Sequence, residues 1–171
     1  MADEVGPPKD RKILVAVDES EESMHALSWC LKNVLFCGNY KDILILLYAI
    51  PPRAVYPTFD NTGHVFSSDF LAMMLKYNKD AADFVMQEAK RTCKEQAREV
   101  KVETRIEHGD PRDVICEMAE KLHVDMVVMG SHGYGLIKRT FLGSVSNHCV
   151  QNVKCPVLVV KRPRPDDFRS K

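Results

Sequence analysis

The segment Val124–Asn147, VDMVVMGSHGYGLIKRTFLGSVSN, has the residue types to hold an anion through its backbone. An apolar run, Met126–Met129, stops at Gly130. Gly133 follows after two residues, and nine more lead to Gly143-Ser144, where a helical pattern opens. The pattern reads as a buried strand, a glycine-turned loop and a helix start rich in small hydroxyl side chains. Such a helix start leaves N–H groups without intrahelical partners and gives an anion room to reach them.

Other phosphate chemistries fit less well. The chain has no G-x-x-x-x-G-K-[ST] loop, and G-S-H-G-Y-G at 130–135 is not the dinucleotide fingerprint G-x-G-x-x-G. A response-regulator receiver would need an acidic pair after strand one and a phosphoacceptor Asp at the middle strand's end. Strand one does end in Asp18-Glu19, but strand three ends at Glu107-His108. His25, His64, His108, His123 and His148 show no metal-ligand spacing, and none of the six cysteines forms a C-x-x-C pair. The cysteines are expected as small buried hydrophobes, and no metal site is expected.

The elements that must position the loop alternate. Lys12–Val17 is a short apolar run, so a buried strand. Ser20 caps a helix whose Leu27, Cys30, Leu31, Val34 and Leu35 share one face. Asp42–Ile50 is apolar on both faces, as a parallel sheet interior demands. Residues 51–71 hold prolines, a glycine and no clear period, so a long loop is expected there. A helical face follows at Ala82, Val85, Met86, Ala89, Cys93 and Ala97. Val100–Glu107 alternates as a less buried strand. Asp110-Pro111 opens a helix as N-cap and first-turn proline, with Asp113 completing a loose capping box and Val114, Ile115, Met118, Ala119 and Leu122 facing inward. Strand Val124–Met129, helix Ser144–Val153 and strand Pro156–Lys161 complete the chain. Strands and helices in alternation predict an α/β fold: one open, mostly parallel five-stranded sheet with helices on both faces. Ligands then bind where the winding reverses, beyond the C-terminal ends of the strands.

Length and charge narrow the class. The 171 residues suit one domain at 11–161 between disordered tails at 1–10 and 162–171. The 24 basic and 24 acidic side chains cancel, which argues against a nucleic-acid binder and leaves little repulsion against self-association. Nothing near Met1 resembles a signal peptide, and no apolar run is long enough to span a bilayer. A cytoplasmic location is expected, with the nucleus also open.

The spacing Gly130-x2-Gly133-x9-Gly143-Ser144 resembles the nucleotide-binding signature of the universal stress protein family. ILVAVDES at 13–20, HGDPRDVI at 108–115 and CPVLVVK at 155–161 resemble that family too, and the match spans 11–161. The wording around the glycines is most like plant members of the ATP- or AMP-binding branch. The resemblance implies a Rossmann-like sheet of the adenine nucleotide α-hydrolase type, strand order 3-2-1-4-5. Strands one and four would then be neighbours, and Asp18 would face Gly130 across the cleft.

The resemblance also implies roles, and the chemistry of each residue agrees with them. Asp18 would accept ribose hydroxyls, although it could simply cap the helix beside Ser20. Ala49, at the end of strand two, would offer backbone groups to adenine. Gly130 would lie against the ribose, and Gly133 would take positive φ or let phosphate approach. Gly143, Ser144, Val145 and Ser146 would give amides and hydroxyls to the phosphates. Ala16, Val17 and Met129 complete the nucleotide-contacting set. His132, Lys138 and Arg139 would reach the terminal phosphates, unless the last two are a solvated loop pair.

The ligand expected is ATP or AMP, with any Mg²⁺ carried on its phosphates. His132 is the one candidate base, so no catalytic residue is assigned and binding is expected over turnover. The family also implies a homodimer through the last strand, at Val157, Leu158, Val159 and Val160, whose short apolar edge suits pairing. Two rival readings remain: a nucleotide-independent interaction or chaperone-like scaffold, and a slow ATP hydrolase. The stress, the pathway and the protein partners are not specified by these residues.

Overall fold

A computed structural model describes residues 10–35, 41–52, 68–97, 100–132 and 142–163. Gly133, Lys138, Arg139, His64 and Cys37 lie outside these residues, as do 53–67 and most of both tails. Among the described residues nine elements follow in order: β1 (Arg11–Ala16), α1 (Glu21–Asn33), β2 (Asp42–Ile50), α2 (Ser68–Gln96), β3 (Lys101–His108), α3 (Pro111–Lys121), β4 (Met126–Gly130), α4 (Ser144–Asn152) and β5 (Val157–Val160). All four strand pairings are parallel, and the order is β3-β2-β1-β4-β5, as the resemblance implied.

Side-chain alternation builds two cores, one on each face of the sheet. Ile13, Val15, Leu44, Leu46 and Tyr48 pack under α1 and α2. Leu14, Ile45, Leu47, Val127 and Met129 pack under α3 and α4. A strand buried on both faces must be apolar at every position, which is why β2 reads as an unbroken hydrophobic run. β3 alternates because it is an edge strand. Its Lys101, Glu103 and Arg105 make a charged row, with Glu103 bonded to both neighbours at 2.9 and 3.3 Å.

At the N-terminal end of the sheet, Arg11 clamps Asp42 bidentately at 2.9 and 2.8 Å and also donates to the carbonyl of Val34. β1, β2 and the end of α1 are thereby tied together away from the cleft. Cys30, Cys93 and Cys149 are buried, and burial pushes their thiols up to about 12, 11 and 12. They behave as apolar packing, not as nucleophiles.

Several boundaries differ from those expected. β1 and β3 shift by one residue, β4 begins at Met126, and β5 is trimmed to four residues. The helix predicted after residue 71 begins at Ser68. Its first half exposes apolar residues on several sides, which blurs the 3.6-residue period. Asp110 does cap α3, but its carboxylate accepts from the N–H of Arg112 at 2.9 Å. The N–H of Asp113 goes to the Asp110 carbonyl, so the cap is not closed at the residue expected. Among the described residues no helix is long and apolar enough to cross a membrane.

Candidate nucleotide site

β1 and β4 are neighbours although α1, β2, α2, β3 and α3 separate them in sequence, so the winding reverses between them. A cavity of about 520 Å³ opens at their C-terminal ends. Ala16, Val17, Asp18, Ala49, Met129, Gly130, His132, Gly143, Ser144, Val145 and Ser146 all border it. Of the residues expected at the nucleotide, Gly133, Lys138 and Arg139 are not placed, because they lie outside the described residues.

One wall is the turn from β1 into α1. Asp18 Oδ1 accepts from the N–H of Ser20 at 3.0 Å and from its hydroxyl. Ser20 Oγ accepts from Ser23 N at 3.1 Å, so Ser20 is the N-cap of α1. The Ser23 hydroxyl meets the Asp18 amide at 3.1 Å. Asp18 therefore supports the cap and borders the cavity, so the two roles weighed for it are compatible.

The opposite wall is the start of α4. Its first intrahelical bond runs from Asn147 N to Gly143 O at 2.9 Å. The N–H groups of Ser144, Val145 and Ser146 precede that bond, and Gly143 supplies no side-chain cap. Two groups expected at phosphate have other partners. The Gly143 N–H donates to the Ser131 carbonyl at 2.7 Å. The Ser146 hydroxyl, 2 % exposed, lies 2.9 Å from the Ser131 carbonyl and 3.0 Å from that of Gly143. Both hold the helix start against the end of β4. What remains in the first turn is a row of amides, with the Ser144 hydroxyl exposed beside them.

Ser131 escaped the sequence reading. It is buried, its amide donates to Val160 O at 3.1 Å, and its carbonyl anchors α4. Its hydroxyl lies 3.0 Å from His132 Nδ1. Gly130 has a second task as well: a Cβ there would sit 3.0 Å from the backbone of Glu22 in α1. The glycine lets α1 approach β4 closely.

The remaining walls come from residues not assigned to the site by the sequence. Tyr77, Asn78 and Ala81 of α2 border the cavity, as does Tyr48, whose hydroxyl donates to Glu19 at 2.6 Å. Pro111 and Ile115 enter because the chain turns sharply at Gly109, where φ is 148° and a Cβ would meet Val114 at 2.8 Å. The Gly109 N–H closes the turn on Ile50 O at 2.9 Å. Beside it, hydrogen bonds from Arg112 side chain and backbone hold the Asp110 carboxyl down at about 2.

An open parallel α/β sheet with a cleft at its switch point defines a broad class of ligand-binding proteins. The model of the universal stress protein family matches residues 10–161. A universal stress protein of Methanocaldococcus jannaschii is 43 % identical over 158 residues, 91 % of this chain and 85 % of the relative. The universal stress protein A-like protein of Arabidopsis thaliana is 31 % identical over 162 residues, 88 % and 90 % of the two chains. The chain belongs to the universal stress protein family. A family protein of Arabidopsis thaliana solved with AMP bound superposes with a TM-score of 0.62 at 23 % identity, covering 94 % of this chain and 97 % of that one.

Proposed function

We propose that this protein is an adenine-nucleotide-binding regulatory module that takes ATP or AMP in the β1–β4 cleft. The observation that carries the reading is the pairing of walls. A carboxylate suited to ribose hydroxyls stands on one side, and a turn of amides suited to phosphate stands on the other. The AMP-bound Arabidopsis relative supports the choice of ligand. Ala49, at the end of β2, faces the same cavity and offers backbone groups to a base edge. Any Mg²⁺ would arrive on the phosphates, since among the described residues no group of three or more His, Cys, Asp or Glu is placed to hold a metal.

The edges of the sheet favour a homodimer through β5. β3 carries the charged row that protects an edge, whereas β5 is Val157-Leu158-Val159-Val160 with no charge. Val127 N bonds Pro156 O and Ser131 N bonds Val160 O, so residues 156, 158 and 160 face β4. The backbone groups of Val157 and Val159 then face outward, where a second β5 could pair with them.

Calorimetric titration with ATP, AMP and GTP tests the ligand. Saturable binding of the adenine nucleotides is expected, with Asp18→Ala weakening ribonucleotides more than their 2′-deoxy analogues. Absence of saturable adenine-nucleotide binding would turn the assignment to a scaffold.

A further inference from the structure

With phosphate at the start of α4 and ribose at Asp18, the base falls to the part of the cavity where the end of β2 meets α2. β2 pairs with β3 out to Ile50 and His108, but with β1 only out to Leu47 and Ala16. The Leu47 carbonyl points toward β1 and accepts from Val17 N at 2.9 Å. The Ile50 carbonyl points the other way and accepts from Gly109 N at 2.9 Å. Backbone groups alternate along a parallel strand, so the N–H and C=O of Ala49 point toward β1, as those of Leu47 do. β1 has already turned into α1 at that level, and Ala49 borders the cavity instead.

Asn78 borders the same part of the cavity from α2. It is half-buried, and its side-chain amide has no hydrogen-bond partner among the described residues. The other polar side chains near it are occupied. Glu19 takes the Tyr48 hydroxyl, and the Ser23 hydroxyl is held by the backbone of Asp18. Asparagine is a poor residue for a helix interior, where its amide ordinarily turns to the carbonyl one turn back or to solvent. Asn78 makes no such carbonyl bond, so its donor and acceptor remain for whatever enters the cavity.

We infer that Asn78 is a base-specificity residue that reads the N6/N7 edge of adenine, while the Ala49 backbone reads N1 and N6. The inference rests on the adenine-nucleotide reading above. Adenine N6 carries two hydrogens, one for the Ala49 carbonyl and one for Asn78 Oδ1. The Ala49 N–H donates to N1, and Asn78 Nδ2 donates to N7. Every donor then meets an acceptor. Guanine and hypoxanthine carry acceptors at both O6 and N7. Either orientation of the Asn78 amide then leaves one of them against Oδ1, and O6 also faces the Ala49 carbonyl. AMP and ATP share this edge, so Asn78 selects the base and not the number of phosphates.

Calorimetric titration of the full chain with AMP and 7-deaza-AMP tests the contact. The analogue keeps N1 and N6 and replaces N7 by carbon. The parent chain should bind it about fivefold more weakly than AMP, the loss of one hydrogen bond. Asn78→Ala should bind AMP about tenfold more weakly than the parent and should no longer distinguish the two ligands. Asn78→Asp keeps an acceptor for N6 but sets a carboxylate against N7, so it should prefer 7-deaza-AMP. Alanine is the better helix former, so Asn78→Ala should melt no lower than the parent. If the parent binds AMP but does not distinguish it from the analogue, or if Asn78→Ala keeps the parent's preference, the Asn78 contact is refuted and the nucleotide site stands. Absence of saturable AMP binding by the parent would overturn the site and the contact together.

Discussion

Gly130→Ala is the substitution on which the packing of the cleft can be judged. The added Cβ would lie 3.0 Å from the carbonyl carbon and oxygen of Glu22 and 3.2 Å from its Cβ. Carbon atoms rest at ~3.5–4.0 Å, so α1 and β4 must separate by roughly half an ångström. The neighbour is backbone in the first turn of a helix, not the end of a flexible side chain. That turn is pinned by Ser20 Oγ to Ser23 N and by Asp18 to Ser20. Forcing a methyl group into such a contact costs about 1–3 kcal/mol. For a chain of this length the loss should lower the melting temperature by about 2–12 °C. In urea, the midpoint should fall with an unchanged slope. The same displacement carries Asp18 away from β4, so adenine-nucleotide affinity should fall roughly tenfold, equivalent to ~1.4 kcal/mol. A stability within ~0.5 kcal/mol of the parent chain would show that α1 yields freely, and the close-approach argument would fail.

Two other substitutions probe α3. Asp110→Ala removes its N-cap and should cost about 1 kcal/mol near neutral pH. The carboxyl is held at about 2 in the fold, below its ordinary value, so its contribution is complete above the unfolded value and lost as pH falls through the folded one. Urea midpoints of the parent and the variant should therefore converge between about pH 4 and pH 2; a gap constant over that range would place the effect elsewhere. At the other end of the helix, His123 has φ of 50°, with its N–H on Glu120 O and that of Val124 on Ala119 O. This left-handed cap favours glycine, so His123→Gly should stabilise the fold by about 0.5–1 kcal/mol. A loss of stability would mean that the imidazole contributes packing outweighing the backbone strain.

Much of the architecture was legible because its causes are local. The unbroken apolar run of β2 announced a central strand, and the alternation in β3 announced an edge. Ser20 and Asp110 could be read as caps because a cap binds amides two or three residues away. The glycines at 130 and 143 marked the cleft for the same reason, since a strand-to-helix turn is written in consecutive residues. The start of α2 was missed because its apolar residues do not follow one face.

The walls that meet across the cleft belong to a different scale. Glu22 and Gly130 meet, and Asp18, Tyr77 and Ser144 border one cavity, only because the sheet sets their elements side by side. No spacing along the chain encodes a contact between a helix and a strand that four intervening elements separate. Composition and local pattern were sufficient for the strands, the caps and the amide-rich turn, whose energetics close within a few residues. The task of Gly130 and the use of the Gly143 amide arose from parallel strand register and helix packing, which depend on the whole chain at once.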